Sequence, residues 1–500
     1  MKTHTGTSFL GKFDHRWFER YRDLISFDLF AWLTHAGPFT SEEQYEWDRA
    51  SKRHDEESDT GMALLLAISR DREIATALEE QREPRLHYPA IPLETVTQRI
   101  EDLTHFYNEI LREEDNHLVR RLYIEAINEQ IDTLRMVQAT HNSDNEAFAR
   151  YNQRIFPIPS PQEMDLALMY LLEELQRGLQ HQRTAVISTT LLNYLQQLRV
   201  LPPSFNLSGQ HLEETANALI AERGEHAQTD KILLPAIALK RFLQQVLRDY
   251  QLDDWRVGID PASVATRVDP QIKAILLTKH PVSLTKALQL LSHEIECHVL
   301  RAACGERSAL ALLGVGTAQY FLVEEGLAMY YDNATTRIHN PDAPETVHWE
   351  GTLATGFACG VQTSSGVCIP AHSFRSLYLF LEPYYQLHYL LTKRESTLDA
   401  AKKNAHRRAT ERCLRTFRGV PSLTHPGICS VKDNCYLRGH LILQQTQERY
   451  GEETLERLMI GAVASEYLDD VAALGIIAPA IRSRHIAHDP HILETIRAFS

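Results

Sequence analysis

Leu290-Leu-Ser-His-Glu-Ile-Glu-Cys-His298 and, downstream, Val323-Glu-Glu-Gly-Leu-Ala-Met-Tyr330 are the stretches around which the rest of the chain can be ordered. Two histidines and a glutamate fall between positions 293 and 298, on a segment whose Leu284, Leu288, Leu291 and Ile295 recur at helical spacing. An acidic pair, Glu324 and Glu325, opens the second apolar run. This is the composition of a zinc hydrolase centre. Catalytic zinc takes about three protein ligands, keeps a position for water, and lowers that water's pKa from roughly 15.7 to near 7. A glutamate beside it can take the water's proton.

The spacing departs from the common pattern, in which two histidines stand four apart on one helical face. His293 and His298 are five apart. At about 100° per residue, five steps leave the rings roughly 140° apart on a regular helix. A π-bulge adds a residue to one turn and would realign them. The pairs His293 with Cys297 and Glu294 with His298 are four apart, and either could ligate a metal without distortion.

The pattern His293-Glu294-x-x-x-His298 followed by Glu-Glu-Gly-Leu-Ala resembles the microtubule-associated tyrosine carboxypeptidases and their bacterial relatives, the QEGLA-motif or flavohaemoglobin-expression-modulating proteins. Ser292-His-Glu-Ile-x-x-His-Val-Leu-Arg301, Gly305, Arg418-Gly419 and Val431-Lys-Asp-x-x-Tyr436 are similar to family positions, so the likeness spans most of residues 90 to 480. It implies Zn2+ as cofactor, His293, His298 and Glu325 as ligands, and Glu294 as general base. It also implies cleavage near the C-terminus of a protein or peptide substrate, with an aromatic last residue favoured by the eukaryotic relatives. Two departures stand out: Glu296-Cys297, where relatives commonly have small residues, and Glu324, where many bacterial members have Gln. The alternative is a zinc-containing regulatory or binding protein without turnover, a reading that the bacterial family name itself suggests.

A carboxypeptidase must hold a terminal carboxylate, and arginine's planar fork suits one. Arg415, Arg418 and Lys432 are the candidates, Arg415 and Arg418 standing in a segment, Lys402 to Arg418, that carries seven Lys/Arg against one Glu. Tyr436 is a candidate donor to a developing oxyanion, worth about 3 kcal/mol where preorganised. Asp433 is expected to orient Lys432 or the ligand histidines.

The chain as a whole sets bounds on these readings. Apolar residues at 43% and charged ones at 24% are those of an ordinary globular protein. A net charge of −14 argues against a nucleic-acid partner, which would select a basic surface. Charges from Lys2 to Asp23 interrupt any signal-peptide core, and no apolar run reaches eighteen residues, so a cytoplasmic protein with no membrane partner is expected. Cysteines 297, 304, 359, 368, 413, 429 and 435 are odd in number and form no Cys-x-x-Cys pair, which reads as buried thiols.

Residues 41–60 are acidic with few apolar anchors. Helical spacing runs from Val96 to Ile131, resumes from Met164 to Leu179 after the prolines at 157–161, and returns from about Ser208. Near Asp254 the pattern changes: Trp255–Ile259, Val264–Val268 and Ile272–Thr278 read as two or three strands, with Ser283 set to cap the histidine helix. Gly305 is expected to end that helix. A second helix from about Thr317 carries Tyr320, Val323, Leu327 and Tyr330 inward, and Gly326 suggests a close approach to the histidine helix. Gly427–Ile442 reads as a loop and strand pair. The expectation is a mostly helical α+β protein, a gluzincin-like metallopeptidase core with a small β-sheet on the zinc-binding helices. Its parts are an N-terminal extension (1–85), a helical region (86–250), the core (251–345) and a C-terminal region completing the cleft (346–500).

Overall fold

The computed structural model describes residues 11–26, 69–88, 92–200, 233–259, 266–270, 272–341, 343, 345–392 and 397–499. The acidic stretch 41–60 and the helix expected from Ser208 lie outside them. The described chain is mostly helical with two small sheets.

Helix α1 (Phe18–Ile25) precedes α2 (Leu93–Glu113), α3 (His117–His141), α4 (Asn145–Ile155), α5 (Pro161–Leu179) and α6 (Ala185–Gln197). Their starts are written in short polar side chains that satisfy otherwise orphaned N–H groups. The Asn116 side chain accepts from Leu118 N (3.0 Å), and the Asp144 side chain from Ala147 N (2.9 Å). Ser160 and Glu163 close a reciprocal capping box behind Pro161. The expected apolar stripes are buried, Leu103, Phe106 and Ile110 on α2 and Leu122, Ile127 and Ile131 on α3. Met169, in the same spacing on α5, is exposed.

Strand β1 (Leu233–Leu234) leads into α7 (Ala236–Asp249), followed by β2 (Arg256–Ile259), β3 (Arg267–Asp269), β4 (Ala274–Leu277) and β5 (Val282–Ser283). β4 is central, parallel to β2 with Val257 opposite Ile275, and antiparallel to β3 with Val268 opposite the same Ile275. β1 and β5 form a separate antiparallel pair. The Gln244 amide on α7 bonds Trp255 O (3.0 Å) and Val257 N (2.9 Å), closing the outer edge of β2. β3 is the strand beside the histidine segment.

Helix α8 has three parts, α-helical Leu284–Leu290, π-helical Leu291–Val299 and α-helical Leu300–Glu306, and the Ser283 side chain caps it by accepting from Lys286 N (3.2 Å). Gly305 therefore lies inside the last turn and does not end the helix. Its role is steric: a Cβ there would stand 2.0 Å from Leu313 O.

Helix α9 (Tyr320–His339) begins three residues later than expected, after Gln319 in a left-handed conformation (φ 55°). Val323 and Leu327 are buried as expected, but Tyr320 and Tyr330 are half-buried and Tyr331 takes the inward position. Then come α10 (Glu350–Cys359), α11 (Phe374–Leu391), α12 (Leu398–Thr416) and α13 (Cys435–Tyr450). α13 corrects the loop and strand pair expected over 427–442. Its buried Leu437 and Leu443 keep helical phase, and Gly439, unhelpful to a helix in isolation, is where α13 crosses α9. A Cβ on Gly326 would lie 2.3 Å from Gly439 O, and one on Gly439 would lie 2.2 Å from Leu322 O. The close approach that Gly326 permits is thus to α13, not to the histidine helix.

Residues 11–26 pack against this frame. The Asp14 carboxylate accepts from Ala311 N (2.9 Å), Leu312 N (2.9 Å) and Tyr123 OH (2.8 Å), securing the turn that follows α8. One continuous hydrophobic core extends from Trp17 through α8 and α9 to Ile496. No helix among the described residues is long and apolar enough to cross a membrane.

Candidate metal centre

The π-helical turn resolves the five-residue spacing. With an extra residue in the turn, the His293 and His298 rings meet edge to face with centroids 4.9 Å apart. Apolar residues on both sides of the widened turn, Leu288, Leu291 and Ile295 before it and Val299 and Leu300 after it, stay buried, so the core face of α8 is kept across the change of phase. α9 crosses this turn and brings Glu325 to it. Ligand atoms of His293, His298 and Glu325 lie within 4.8 Å of one another, and all three residues are partly exposed, so a metal ion could be held there and reached by solvent. Glu294, beside His293 on the same turn, is buried.

A second set, Cys297, His298 and Glu324, meets the same distance criterion. Its members are otherwise committed. The Glu324 carboxylate accepts from His298 Nδ1 (2.7 Å) and is paired through its other oxygen with the fully buried Arg301 guanidinium. Arg301 is fixed by Leu458 O (3.0 Å), Gly461 O (3.1 Å) and Val463 O (3.0 Å). Cys297 points at Glu324 O (3.9 Å), and burial pushes its thiol well above the ordinary range. Among the described residues, no group of three metal-ligating side chains joins His293 with Cys297.

Asp332, about two turns beyond Glu325 on α9, does for His293 what Glu324 does for His298. Its Oδ2 lies 3.1 Å from His293 Nδ1 and its Oδ1 accepts from Ser292 Oγ (3.0 Å). Both histidines thus have Nδ1 engaged by a carboxylate, which leaves Nε2 as the nitrogen available to a metal. A carboxylate behind each ligand histidine is the arrangement metal centres use to orient the ring and raise its basicity. Burial would lower His293, but Asp332 and the charges of Glu294 and Glu325 outweigh it and raise it to about 9, while burial and the neighbouring His293 lower His298. The charged form is thus favoured at His293 and disfavoured at His298.

Glu296, the departure beside Cys297, is structural. Its carboxylate accepts from Tyr250 OH (2.8 Å) and Ile486 N (2.6 Å), tying the outer face of the π turn to the C-terminal segment.

Across the site from α8 stand the residues of α12 and the start of α13. Arg415 grips Asp433 with both arms of its fork (2.7 and 2.9 Å) and donates to Tyr436 OH (3.3 Å), and Arg412 donates to the same carboxylate (2.7 Å). Burial would raise Asp433, but the two arginines hold it well below the usual carboxylate range. Asp433 therefore orients Arg415 and Arg412. Gly351 makes room for it, since a Cβ there would meet Asp433 O at 2.5 Å. The Glu325 charge, then burial, keeps the Tyr436 phenol protonated well above its ordinary range. Burial and then Arg418 lower Lys432, and burial lowers Arg418.

Tyr88 frames the Arg418-Gly419 step by accepting from Gly419 N (2.7 Å), Gly419 having φ 75°. His348, exposed, lies with its ring 6.0 Å from that of Tyr436. Neither was singled out in the sequence, and neither was Asp332. A carboxylate spaced seven residues from Glu325 on one helical face was the available signal for Asp332. Tyr88 and His348 come from distant segments and left none. Of the remaining histidines, His372 is buried on Pro370 O (2.8 Å) and Tyr194 OH (2.6 Å), away from the site.

No protein-family model and no curated protein matches this chain.

Proposed function

We propose that the chain is a zinc-dependent metallopeptidase with a gluzincin-like core, acting as a carboxypeptidase on the C-terminus of a protein or peptide. The observation that carries the reading is the convergence of His293, His298 and Glu325 with a carboxylate behind each histidine. Two imidazoles and one carboxylate are a donor set that catalytic zinc takes while keeping a position for water. Bound zinc would supply Lewis acidity and a water of near-neutral pKa.

The chain's own residues supply the rest of the chemistry. Glu294 accepts the proton of the attacking water and returns it to the leaving amine. Tyr436, its oxygen already accepting from Arg415, keeps its own proton to donate to the oxygen on which charge develops. Arg418 and Lys432 receive the substrate's terminal carboxylate. Burial lowers both, and Arg418 lowers Lys432 next, so the two cations stand near one another. Arg415, with its fork on Asp433, serves as the support of Tyr436. β3, beside the histidine segment, is the strand along which an extended substrate would lie.

The test is incubation of zinc-loaded protein with peptides of varied C-terminal residue, products read by mass spectrometry beside Glu294→Gln. Removal of a single terminal residue by the wild type, slowed about 10²–10⁴-fold in the variant at equal zinc content, is expected. A protein holding one zinc per chain that cleaves nothing would leave the regulatory reading in its place.

A further inference from the structure

Cys359 closes α10, and Cys429 lies on the stretch that runs from α12 to Lys432. Seventy residues separate them in sequence, yet their sulfurs are 3.1 Å apart. A disulfide has its sulfurs about 2.05 Å apart, so about one ångström of travel separates this thiol pair from a bond. The other buried thiols differ in kind. Cys413 sits on Phe374 O (3.8 Å) and Cys304 on Ile481 O (3.3 Å), while Cys368 is exposed.

We propose that Cys359 and Cys429 are an oxidisable dithiol, converted by a peroxide into a disulfide that staples the end of α10 to the segment leading into Lys432. Cys359 is half-buried and within reach of a small oxidant, whereas Cys429 is 4% exposed, its sulfur also 3.9 Å from Thr355 O. The Cys359 thiolate attacks one peroxide oxygen, the O–O bond breaks, and Cys359 becomes a sulfenic acid. The Cys429 sulfur then displaces that hydroxyl. For hydrogen peroxide, two thiols and one peroxide give one disulfide and two waters, the two electrons passing from sulfur to oxygen. The hydrogen bond with Cys359, then burial, push the Cys429 thiol up, so it keeps its proton until the second step.

Both backbones are already held in place for this bond. After Cys359, Gly360 turns the chain with φ 75°, and Ile369 N bonds Val361 O (2.9 Å). After Cys429, Ser430 N bonds Thr416 O (2.7 Å) and Val431 N bonds the buried Asn152 Oδ1 (3.0 Å). The inference stands on the sulfur geometry and does not depend on the metallopeptidase reading.

The experiment is to expose the full chain to hydrogen peroxide, block remaining thiols with an alkylating agent, and map peptides by mass spectrometry without reduction. Expected is a cross-linked Cys359–Cys429 peptide pair lighter by two hydrogens, reversed by dithiothreitol and absent from Cys359→Ser and Cys429→Ser. The oxidised protein should also melt several degrees above the reduced one, because the bond closes a long loop in the unfolded chain. Recovery of both thiols alkylated under conditions that oxidise the exposed Cys368 would overturn the proposal, as would a bond from either to a different cysteine.

Discussion

Asp332 shows how much of a metal site lies outside its ligands. It touches no proposed ligand atom, yet it fixes the ring of His293 and, through Ser292, the backbone turn that carries it. Asp332→Asn should lower zinc affinity about 10–100-fold with the fold intact, measured by competition with a chromogenic chelator. Cys297→Ala should leave that affinity unchanged, and a loss would move the site to Cys297, His298 and Glu324. Glu324→Gln should behave differently, because it also leaves the buried Arg301 guanidinium without its anion. Breaking a buried pair in this way costs about 3–5 kcal/mol, to be read from urea unfolding of the metal-free protein. A Glu324→Gln protein as stable as wild type would show that the three carbonyls around Arg301 suffice.

Among elements, the crossing of α9 and α13 matters most, since it sets Glu325 against Tyr436. The backbones touch at Gly326 and Gly439, where neither residue has a side chain to separate them. Gly326→Ala adds one methyl whose three nearest neighbours are main-chain atoms of the other helix, the nearest at 2.3 Å, so the helices must part. A cost of about 1–3 kcal/mol is expected from overpacking, with weakened zinc binding because Glu325 moves with its helix. A lowered Tm with zinc affinity unchanged would mean that α9 slides without carrying Glu325 away. The π turn works by the same logic of phase. One extra residue rotates His298 toward His293 while the buried residues before and after it keep α8 on the core.

At the scale of the molecule, half-buried carboxylates should shape stability against pH. Burial would raise Glu350, but Arg408 and Arg412 hold it at about 2, below its ordinary 4.5. Between those values the unfolded chain binds the proton and the folded chain does not, so stability rises with pH and is lost as pH falls toward 2. Glu129 has the opposite sign. Burial raises it to about 7, only partly offset by Gln319 N (2.8 Å), so the folded state holds the extra proton between 4.5 and 7 and stability falls as pH rises there. Glu129→Gln should match wild type near pH 5 and exceed it at pH 8, in denaturant unfolding at both values. Equal stability at pH 8 would show that Glu129 ionises without cost.

The local order of residues was enough to place the cap at Ser283, the strands around Trp255 and Ile275 and the apolar stripes of α2 and α3, because each depends on spacing within one element; the set His293, Glu294, His298 and Glu325 came from the family resemblance, since Glu325 lies on a different helix from the other three. Sequence could state that a π turn was needed but not that one forms, since its cost is met by packing on both sides of α8. Whatever depends on two segments meeting was left to the tertiary structure. That includes the helix at 435–450 in place of strands, the true partner of Gly326, the carboxylates behind the two histidines and the meeting of Cys359 with Cys429. The physical reason is common to all of them. A single element fixes the phase of its own side chains, while contacts between elements follow from how closely their backbones can approach.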